Sequence, residues 1–438
     1  MSSLKTHLHP QMDTTHRSAV MQRWNCMQYE IIPDLLEEVG VLTPKLLKVI
    51  HTLEWVRIEE FVQSSWNGIG RPPHDRQMLA SAFVAKTVLG IKTTIGLIER
   101  LTIDKALRRI CGFPRYKKLP SEACFSRAFS EFSEDNLAER AHKSMIKEHL
   151  GESLIGHISR DGTAIEAREK PRKAETESKV KGTESANLIT AVKAAEAIES
   201  TSTNVETVAP VEAKTDVAKV DVVETVANQN STPTSEVKAI KAKSKPGPKK
   251  KSTSEPPQPK RIEVQVNQTL PQMLRDIPTG CDRGTKCNAQ GYKVSWNGYK
   301  LHIDTADCGV AISALLSSAS MHDSQAAIPL SLMTAERVTN CYDLMDAAYC
   351  SEILREHSRS LGHVPLIDHN PRRGEKKEFA PHEADRYKER SQAERTNARL
   401  KDEFGGNDIW VRGHEKVNLH LMFGLLALTA DQLMRLFT

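Results

Sequence analysis

The 438 residues of this chain lack the sequence features of zinc-binding, disulfide-rich, secreted and membrane proteins. Its eight cysteines are scattered and form no Cys-x-x-Cys pair, which argues against a zinc site or a disulfide framework and favours a reduced cytosolic protein. The first residues, MSSLKTHLHPQMDTTHRS, contain no apolar stretch of the signal-peptide type, and no apolar run is long enough to span a membrane. We therefore expect a soluble, cytoplasmic protein with no membrane partner.

Aromatic residues are missing from a long internal stretch, with no Phe, Trp or Tyr between Phe132 and Tyr292. Inside it, residues 173–285 consist mainly of Ala, Val, Thr, Ser, Glu and Lys. Such a segment cannot offset its loss of conformational entropy on folding, so we predict a low-complexity, Lys-rich and mostly disordered insertion. Seven lysines and no acid lie between Lys238 and Lys251. They suit a tether for nucleic-acid phosphates or, equally well, a solubilising linker.

The chain before the insertion is typical of short helices. In LTPKLLKVIHTLEWVRIEEFV, Thr43 can cap a helix that has Pro44 at its first position, and DRQMLASAFVAKTVLG can run from a cap at Asp75 to Gly90. We therefore predict an N-terminal helical region over residues 1–65 and a second helical domain over 66–150.

The net charge of this protein is small, at +5, so a polyanionic partner would have to bind to local basic patches. The second helical domain has such a patch in its sequence, formed by Arg100, Arg108, Arg109, Arg115, Lys117, Lys118 and Arg127. The patch favours a DNA-binding module, and a helical bundle with a basic, solvated surface is the alternative.

Alternating apolar residues on both sides of the insertion predict a sheet. LIGHISRDGTAIEA precedes the insertion, and YKVSWNGYKLHI after it suggests a hairpin with a two-residue turn at Asn297-Gly298. The remaining segments read as strand, helix, strand, helix, strand and helix. Without the insertion, this order is that of a ribonuclease H-like α/β fold with a mixed sheet. Its catalytic core would comprise residues 151–172 and 286–438.

Three carboxylates fall at one edge of this predicted sheet. Asp161 lies on the first strand and Glu394 on the helix after the last strand. In CYDLMDAAY, Asp343 and Asp346 are an odd interval apart and point to opposite faces, and Asp346 is nearer the carboxyl end of its strand. Clustered carboxylates repel each other unless a cation binds between them. Two Mg²⁺ or Mn²⁺ ions would satisfy them and would suit in-line displacement at a phosphodiester.

One helical stretch, RYKERSQAERTNARLKDEFGG, carries an unusual stripe. Tyr387, Arg390, Glu394 and Lys401 fall within a sector of roughly 60° when they are placed on one helix. An ordinary charged, solvated face is the alternative explanation. The spacing Tyr-x2-Arg-x3-Glu-x6-Lys resembles the signature of the DDE transposases of bacterial insertion sequences.

Other segments extend the resemblance over most of the chain. RDGTAIEAREK resembles the strand with the family's first aspartate, and MDAAYCSEIL resembles its Asp-x-x-Tyr block, which favours Asp346 over Asp343. GRPPHDRQMLASAFVAKTVLGIKTTIGLIERL is similar to the N-terminal helical domain common in these enzymes. The start of the chain and the insertion are not covered.

The resemblance implies specific roles for the site residues. Two metal ions, Mg²⁺ or Mn²⁺, would be held by Asp161, Asp346 and Glu394. Arg390 and Lys401 would contact DNA phosphates beside the cut, and Tyr387 would pack or hydrogen-bond there. Four other residues could also approach the site, but core or capping roles are favoured for them, namely Trp296, His302, His322 and Asp323.

The resemblance also implies an activity, which is metal-dependent strand cleavage and strand transfer at the ends of a mobile element. Its partners would be double-stranded DNA, both terminal repeats and target, and the protein would act as a homodimer or higher oligomer in the nucleoid. The short segment before the Glu394 helix leaves no room for the β-rich insertion that some relatives use with a hairpin intermediate. A structure-selective nuclease on the same fold and a non-catalytic DNA-binding descendant are the alternatives.

Overall fold

The fold was obtained as a computed structural model, which describes residues 42–63, 73–114, 117–171, 259–287, 290–371 and 375–437. Within these ranges, six helices precede the sheet: α1 Pro44–Val56, α2 Arg76–Val88, α3 Thr94–Ile103, α4 Lys105–Ile110, α5 Glu122–Glu134 and α6 Leu137–Leu150. The predicted N-caps are confirmed, since the side chains of Thr43 and Asp75 accept hydrogen bonds from the first turns of α1 and α2.

The described part of the chain from residue 151 onward contains six strands and seven further helices: β1 Leu154–Glu166, α7 Arg261–Gln265, α8 Leu270–Asp276, β2 Asp282–Cys287, β3 Lys293–Ala306, β4 Ala311–Ser318, α9 Ser324–Ala335, β5 Thr339–Met345, α10 Glu352–Ser360, β6 Val364–Ile367, α11 Pro381–Tyr387, α12 Ser391–Glu403 and α13 His414–Phe437. Short 3₁₀ turns lie at Ile58–Phe61, Ala347–Tyr349 and Lys388–Arg390.

The strands form one mixed sheet in the order β2-β3-β1-β5-β6, and β4 also pairs with β3. β1 runs antiparallel to β3 and parallel to β5, and β5 runs parallel to β6. Helices α9 and α12 pack against strands of this sheet. The predicted ribonuclease H-like α/β fold is confirmed.

The last helix, α13, joins the N-terminal helices to the sheet. It packs against α1, α2, α5 and α6 and also against β4, so the helices before residue 150 share one core with the strands. By length and apolar composition α13 could cross a membrane, contrary to the sequence-based expectation, but most of it is buried inside the protein. Its apolar character is explained by this central position.

The predicted hairpin turn at Asn297-Gly298 is wrong, because β3 continues through both residues. Gly298 has a positive φ of 150°, and a Cβ atom there would lie 2.2 Å from the carbonyl oxygen of Ile165 on β1. Glycine is therefore needed for the close approach of two strands. The chain reverses instead between β3 and β4.

The predicted insertion extends too far toward the C-terminus. Residues 259–287 form α7, α8 and β2, and they bury Ile262, Met273 and Ile277. The absence of aromatic residues led to the prediction of disorder here, but aliphatic and methionine side chains form the core contacts instead. The remainder of the predicted insertion, including its lysine cluster, lies outside the described residues.

Candidate active site

Two of the three predicted acids meet where adjacent parallel strands reach the same level of the sheet. Arg160 of β1 lies opposite Met345 of β5, so the next residues, Asp161 and Asp346, are neighbours. β5 ends at this point, and Asp346 caps the 3₁₀ turn that follows by accepting a hydrogen bond from the amide of Ala348, at 2.9 Å. The parallel pairing of β1 with β5 therefore creates the acid pair.

Asp161 is mostly buried and is held from the α12 side. Asn397 of α12 donates a hydrogen bond to its Oδ2 atom at 2.8 Å, and a guanidinium nitrogen of Arg390 lies 3.7 Å from its Oδ1 atom. Burial raises the pKa of Asp161 to about 6, the charge of Arg390 opposes this rise, and the charges of Asp346 and Asp323 add to it. Ionising this carboxyl group is therefore costly unless more positive charge is present.

Asp346 is in a similar position. Burial raises its pKa, the hydrogen bond from the Ala348 amide lowers it, and the charge of Asp323 raises it again. Each of these neighbouring aspartates thus faces other acids across a partly buried space.

The structure does not bring Glu394 into this pair. The Glu394 side chain is 59% exposed and is joined to Arg390 by a 2.5 Å ion pair. Because Arg390 also approaches Asp161, its guanidinium contacts one acid in the site and one outside it. Arg390 is therefore the cation of the protein that lies beside Asp161.

The predicted stripe lies on three consecutive segments and not on one helix. Tyr387 ends α11, Arg390 ends the 3₁₀ turn, and Glu394 and Lys401 lie on α12. The Tyr387 hydroxyl donates a hydrogen bond to the carbonyl of Met345 at 3.2 Å, directly before Asp346. Burial raises the pKa of Tyr387 to about 12.

Lys401 lies farther along α12, near the end of β1. Burial lowers the pKa of Lys401, the positive charge of Lys286 on β2 lowers it further, and Glu166 and Asp161 oppose these effects. Lys401 and Lys286 thus form a basic region beside the acid pair.

Comparisons with known proteins agree with this arrangement. Residues 271–430 match the family model described as a transposase DDE domain, and residues 39–131 match the model described as a transposase domain (DUF772). This chain belongs to the DDE transposase family. Comparison with curated proteins and with solved structures gave no significant match.

The two matched ranges include only some of the predicted site residues. Asp346 and Glu394 lie within the DDE match, whereas Asp161 lies between the two matched ranges. Its assignment to the site therefore depends on the pairing of β1 with β5 in the structure.

A fourth acid, Asp323, lies near the acid pair, although the sequence analysis favoured a capping role for it over an approach to the site. Asp323 precedes α9, but its side chain makes no capping hydrogen bond, so the predicted capping role is wrong. Its Oδ1 atom lies 2.9 Å from Lys300 Nζ and 3.8 Å from His302 Nδ1. A Cβ atom on Gly162 would come within 2.9 Å of the same oxygen, so this glycine lets the carboxylate approach β1. The sequence signal for this approach was the position of His322-Asp323 directly before α9.

Asp343, the rejected alternative for the second acid, is part of a buried network in the transposase. It accepts hydrogen bonds from Ser358 at 2.5 Å and from His363 at 3.1 Å. Burial alone would raise its pKa, but these hydrogen bonds and the charge of Arg160 lower it. Asp343 therefore has the surroundings of a structural acid.

The acids of the transposase fit a hard divalent cation in donor type. Asp161 and Asp346 offer carboxylate oxygens, which Mg²⁺ and Mn²⁺ prefer, and their mutual repulsion would be relieved by such an ion. Among the described residues, no three His, Cys, Asp or Glu side chains are grouped closely enough to hold a metal. Glu394 would have to leave Arg390 to complete a set of three.

Proposed function

We propose that this transposase cleaves DNA at the ends of its mobile element and joins those ends to target DNA by divalent-metal-dependent phosphoryl transfer. The observation that carries the proposal is the pair Asp161–Asp346, two acids at adjoining strand positions whose pKa values are raised by burial and by neighbouring negative charge. The two ionised carboxylates repel each other, and a cation bound between them would remove this repulsion.

Asp161, Asp346 and Glu394 would hold the metal ions. Two Mg²⁺ ions, when bound, would activate the attacking water or 3′-hydroxyl and stabilise the leaving oxygen. Asn397 orients Asp161 through its hydrogen bond to Oδ2 and leaves the other carboxylate oxygen toward Arg390.

Arg390 and Tyr387 would position the DNA. Once cations neutralise the acids, the Arg390 guanidinium is free to form charge-assisted hydrogen bonds with a phosphate beside the cut. Tyr387 is anchored to the carbonyl of Met345, so its ring is fixed next to Asp346. Lys401 would contact a phosphate farther along the strand.

The test uses the full-length protein, Mg²⁺, a duplex that carries the source element's ends, and target DNA. We expect cuts at the element ends and joined products. Asp161→Asn and Glu394→Gln should abolish both products while DNA binding persists, because each removes a metal ligand and not a phosphate contact. Both variants should also reduce the rise in melting temperature that Mg²⁺ causes in the wild type.

Asp385→Asn is the matched control, since Asp385 is a highly exposed acid on α11 that pairs with Lys388. It should behave like the wild type. Cutting without joining would indicate a nuclease, and binding without either product would indicate a non-catalytic protein. Either result would contradict the proposal.

A further inference from the structure

The hairpin formed by β2 and β3 extends beyond the catalytic edge of the sheet. Ile303 of β3 lies opposite Asp161, whereas the hairpin begins at the pairing of Gly298 with Asp282 and continues to that of Lys293 with Cys287. At about 3.3 Å per residue, the ten-residue step from Ile303 to Lys293 places the far pairing about 30 Å from Asp161 along the strand. The neighbouring strands β5 and β6 end at the level of the acids.

Apart from Asp282, which accepts hydrogen bonds from Ser320 at the base of the hairpin, the two hairpin strands carry only positive formal charges. The sequence from Arg283 to Ile303 contains no Asp or Glu, and its basic residues Arg283, Lys286 and Lys293 are all exposed. No ion pair joins these three to an acid among the described residues. Their charges are therefore available to a polyanion.

The hairpin is built as a stiff ribbon despite its exposure. Trp296 is buried and packs on Gly284, where a Cβ atom would lie only 2.4 Å from the indole ring. The indole nitrogen donates a hydrogen bond to the carbonyl of Tyr299 at 2.9 Å. Beyond this anchor, Tyr292 and Val294 are exposed, so apolar surface is interspersed with the basic side chains.

The basic surface of the hairpin is continuous with the active site. Lys286 lies close enough to Lys401 to lower its pKa, and Lys401 shares α12 with Glu394. Lys401 and Lys286 thus bring positive charge from the hairpin toward the acid pair, with Glu166 and Asp402 also near Lys401.

We propose that the paired hairpin strands, Asp282–Cys287 and Lys293–Gly298, are a second DNA-binding element, which contacts the duplex about nine base pairs from the scissile phosphate. This spacing follows from the 30 Å reach and a rise of about 3.4 Å per base pair. A two-stranded ribbon is also narrow enough to enter a major groove. The position of the cut in this inference rests on the proposed function. The DNA contact itself rests on the exposed basic residues of the hairpin and on the strand register that sets its distance from Asp161.

The test replaces Arg283, Lys286 and Lys293 together by alanine. All three side chains are exposed, so the fold should persist, which circular dichroism and the melting temperature will verify. On a long element-end duplex, affinity at low salt should fall at least about tenfold, and the slope of log K against log salt should decrease by about two to three units. Replacing Lys286 and Lys293 by arginine should retain binding, because the charge is kept.

Trimming the DNA tests the distance. Two series of duplexes are shortened in steps, one on each side of the cut. In one series, the difference between the wild type and the triple variant should vanish once fewer than about nine base pairs remain. A difference that persists on the shortest duplexes of both series would overturn the proposed reach.

The control carries the same loss of charge elsewhere, through alanine at Lys45, Lys147 and Arg275, which are all exposed and form no ion pair within the part of the chain that the structure describes. Equal losses in the two triple variants would mean that general charge matters, and the hairpin would have no special part. If the wild type cuts element ends and the hairpin variant binds and cuts equally well, the inference fails while the proposed function stands. If the wild type cuts nothing but the hairpin variant still loses affinity, the proposed function fails and the hairpin contact stands.

Discussion

The buried acids Asp304 and Asp343 have hydrogen-bond donors or a positive charge beside them, whereas Asp161 and Asp346 at the edge of the sheet lie beside other acids. On the side of α9 and α10, Asp304 accepts two hydrogen bonds from Arg160, at 2.7 and 2.8 Å. Asp343 accepts hydrogen bonds from Ser358 and His363. Each of these buried charges has a donor or an opposite charge beside it, as stable buried charges require.

At the edge, acids face acids. Asp161 directly follows Arg160 in the sequence, yet its pKa is raised by burial and by the charges of Asp346 and Asp323. The alternation of a strand sends consecutive residues to opposite faces, so β1 serves both environments. The comparison teaches that a function is better indicated by an unbalanced set of charges than by the presence of an acid on a strand.

The strongest test of this comparison uses the two aspartates at the end of β5. Asp346→Asn should reduce cleavage of element ends below detection, because it removes a metal ligand. Asp343→Asn should leave cleavage per folded molecule intact but lower the free energy of unfolding by about 1–3 kcal/mol, because it disturbs a buried hydrogen-bond network. Cleavage assays and urea unfolding of both variants measure the two effects. The opposite pattern would show that the second catalytic acid was assigned wrongly.

A smaller effect is expected in the pH dependence of stability. The pKa of Asp161 is raised to about 6, so the folded state binds a proton more tightly than the unfolded state. Without metal, this group therefore lowers stability as pH rises from about 4 to about 6. Asp161→Asn should consequently gain stability relative to the wild type over that window, by on the order of 1–3 kcal/mol.

Asp343 provides the control of opposite sign for this pH experiment. Its lowered pKa stabilises the folded protein above the unfolded pKa, and that contribution is lost as pH falls. Asp343→Asn should therefore lose stability relative to the wild type as pH rises. Unfolding of the three proteins in chelator across pH 4–7.5 would compare them. Parallel curves for both variants would contradict the charge balance described here.

The sheet could be predicted from the sequence because its strands alternate locally and its helices carry local caps. The predictions failed where contacts with a segment distant in the sequence determine the local structure. Gly298 reads as part of a turn, but it is required by the approach of β1 across β3. Met273 and Ile277 lie in a stretch without aromatic residues, and yet they are buried.

The candidate site divides in the same way. Asp161 and Asp346 could be predicted because strand order alone brings them together. For Asp323 the sequence left two roles open and favoured the wrong one, because a residue before a helix normally caps it, and only the tertiary structure places this carboxylate against Gly162. The outward position of Glu394 corresponds to the alternative that the sequence left open, an exposed helix face with i,i+4 pairs, since Glu394 pairs with Arg390 four residues earlier.

The smallest expected effect concerns the basic region beside the edge, and it requires a well-chosen control. Arg399, opposite the stripe on α12, is unsuitable because it bonds to Asp431 and Glu403, so its removal would disturb the fold. Arg395 is better, as an exposed residue about 100° around the helix from Glu394. Lys401→Ala should reduce the slope of log K against log salt by about one unit, because one phosphate contact is lost. Arg395→Ala should leave the slope nearly unchanged. Equal reductions at both positions would mean that any positive charge on α12 attracts DNA, and that the acids at the edge do not define which face of the helix the DNA follows.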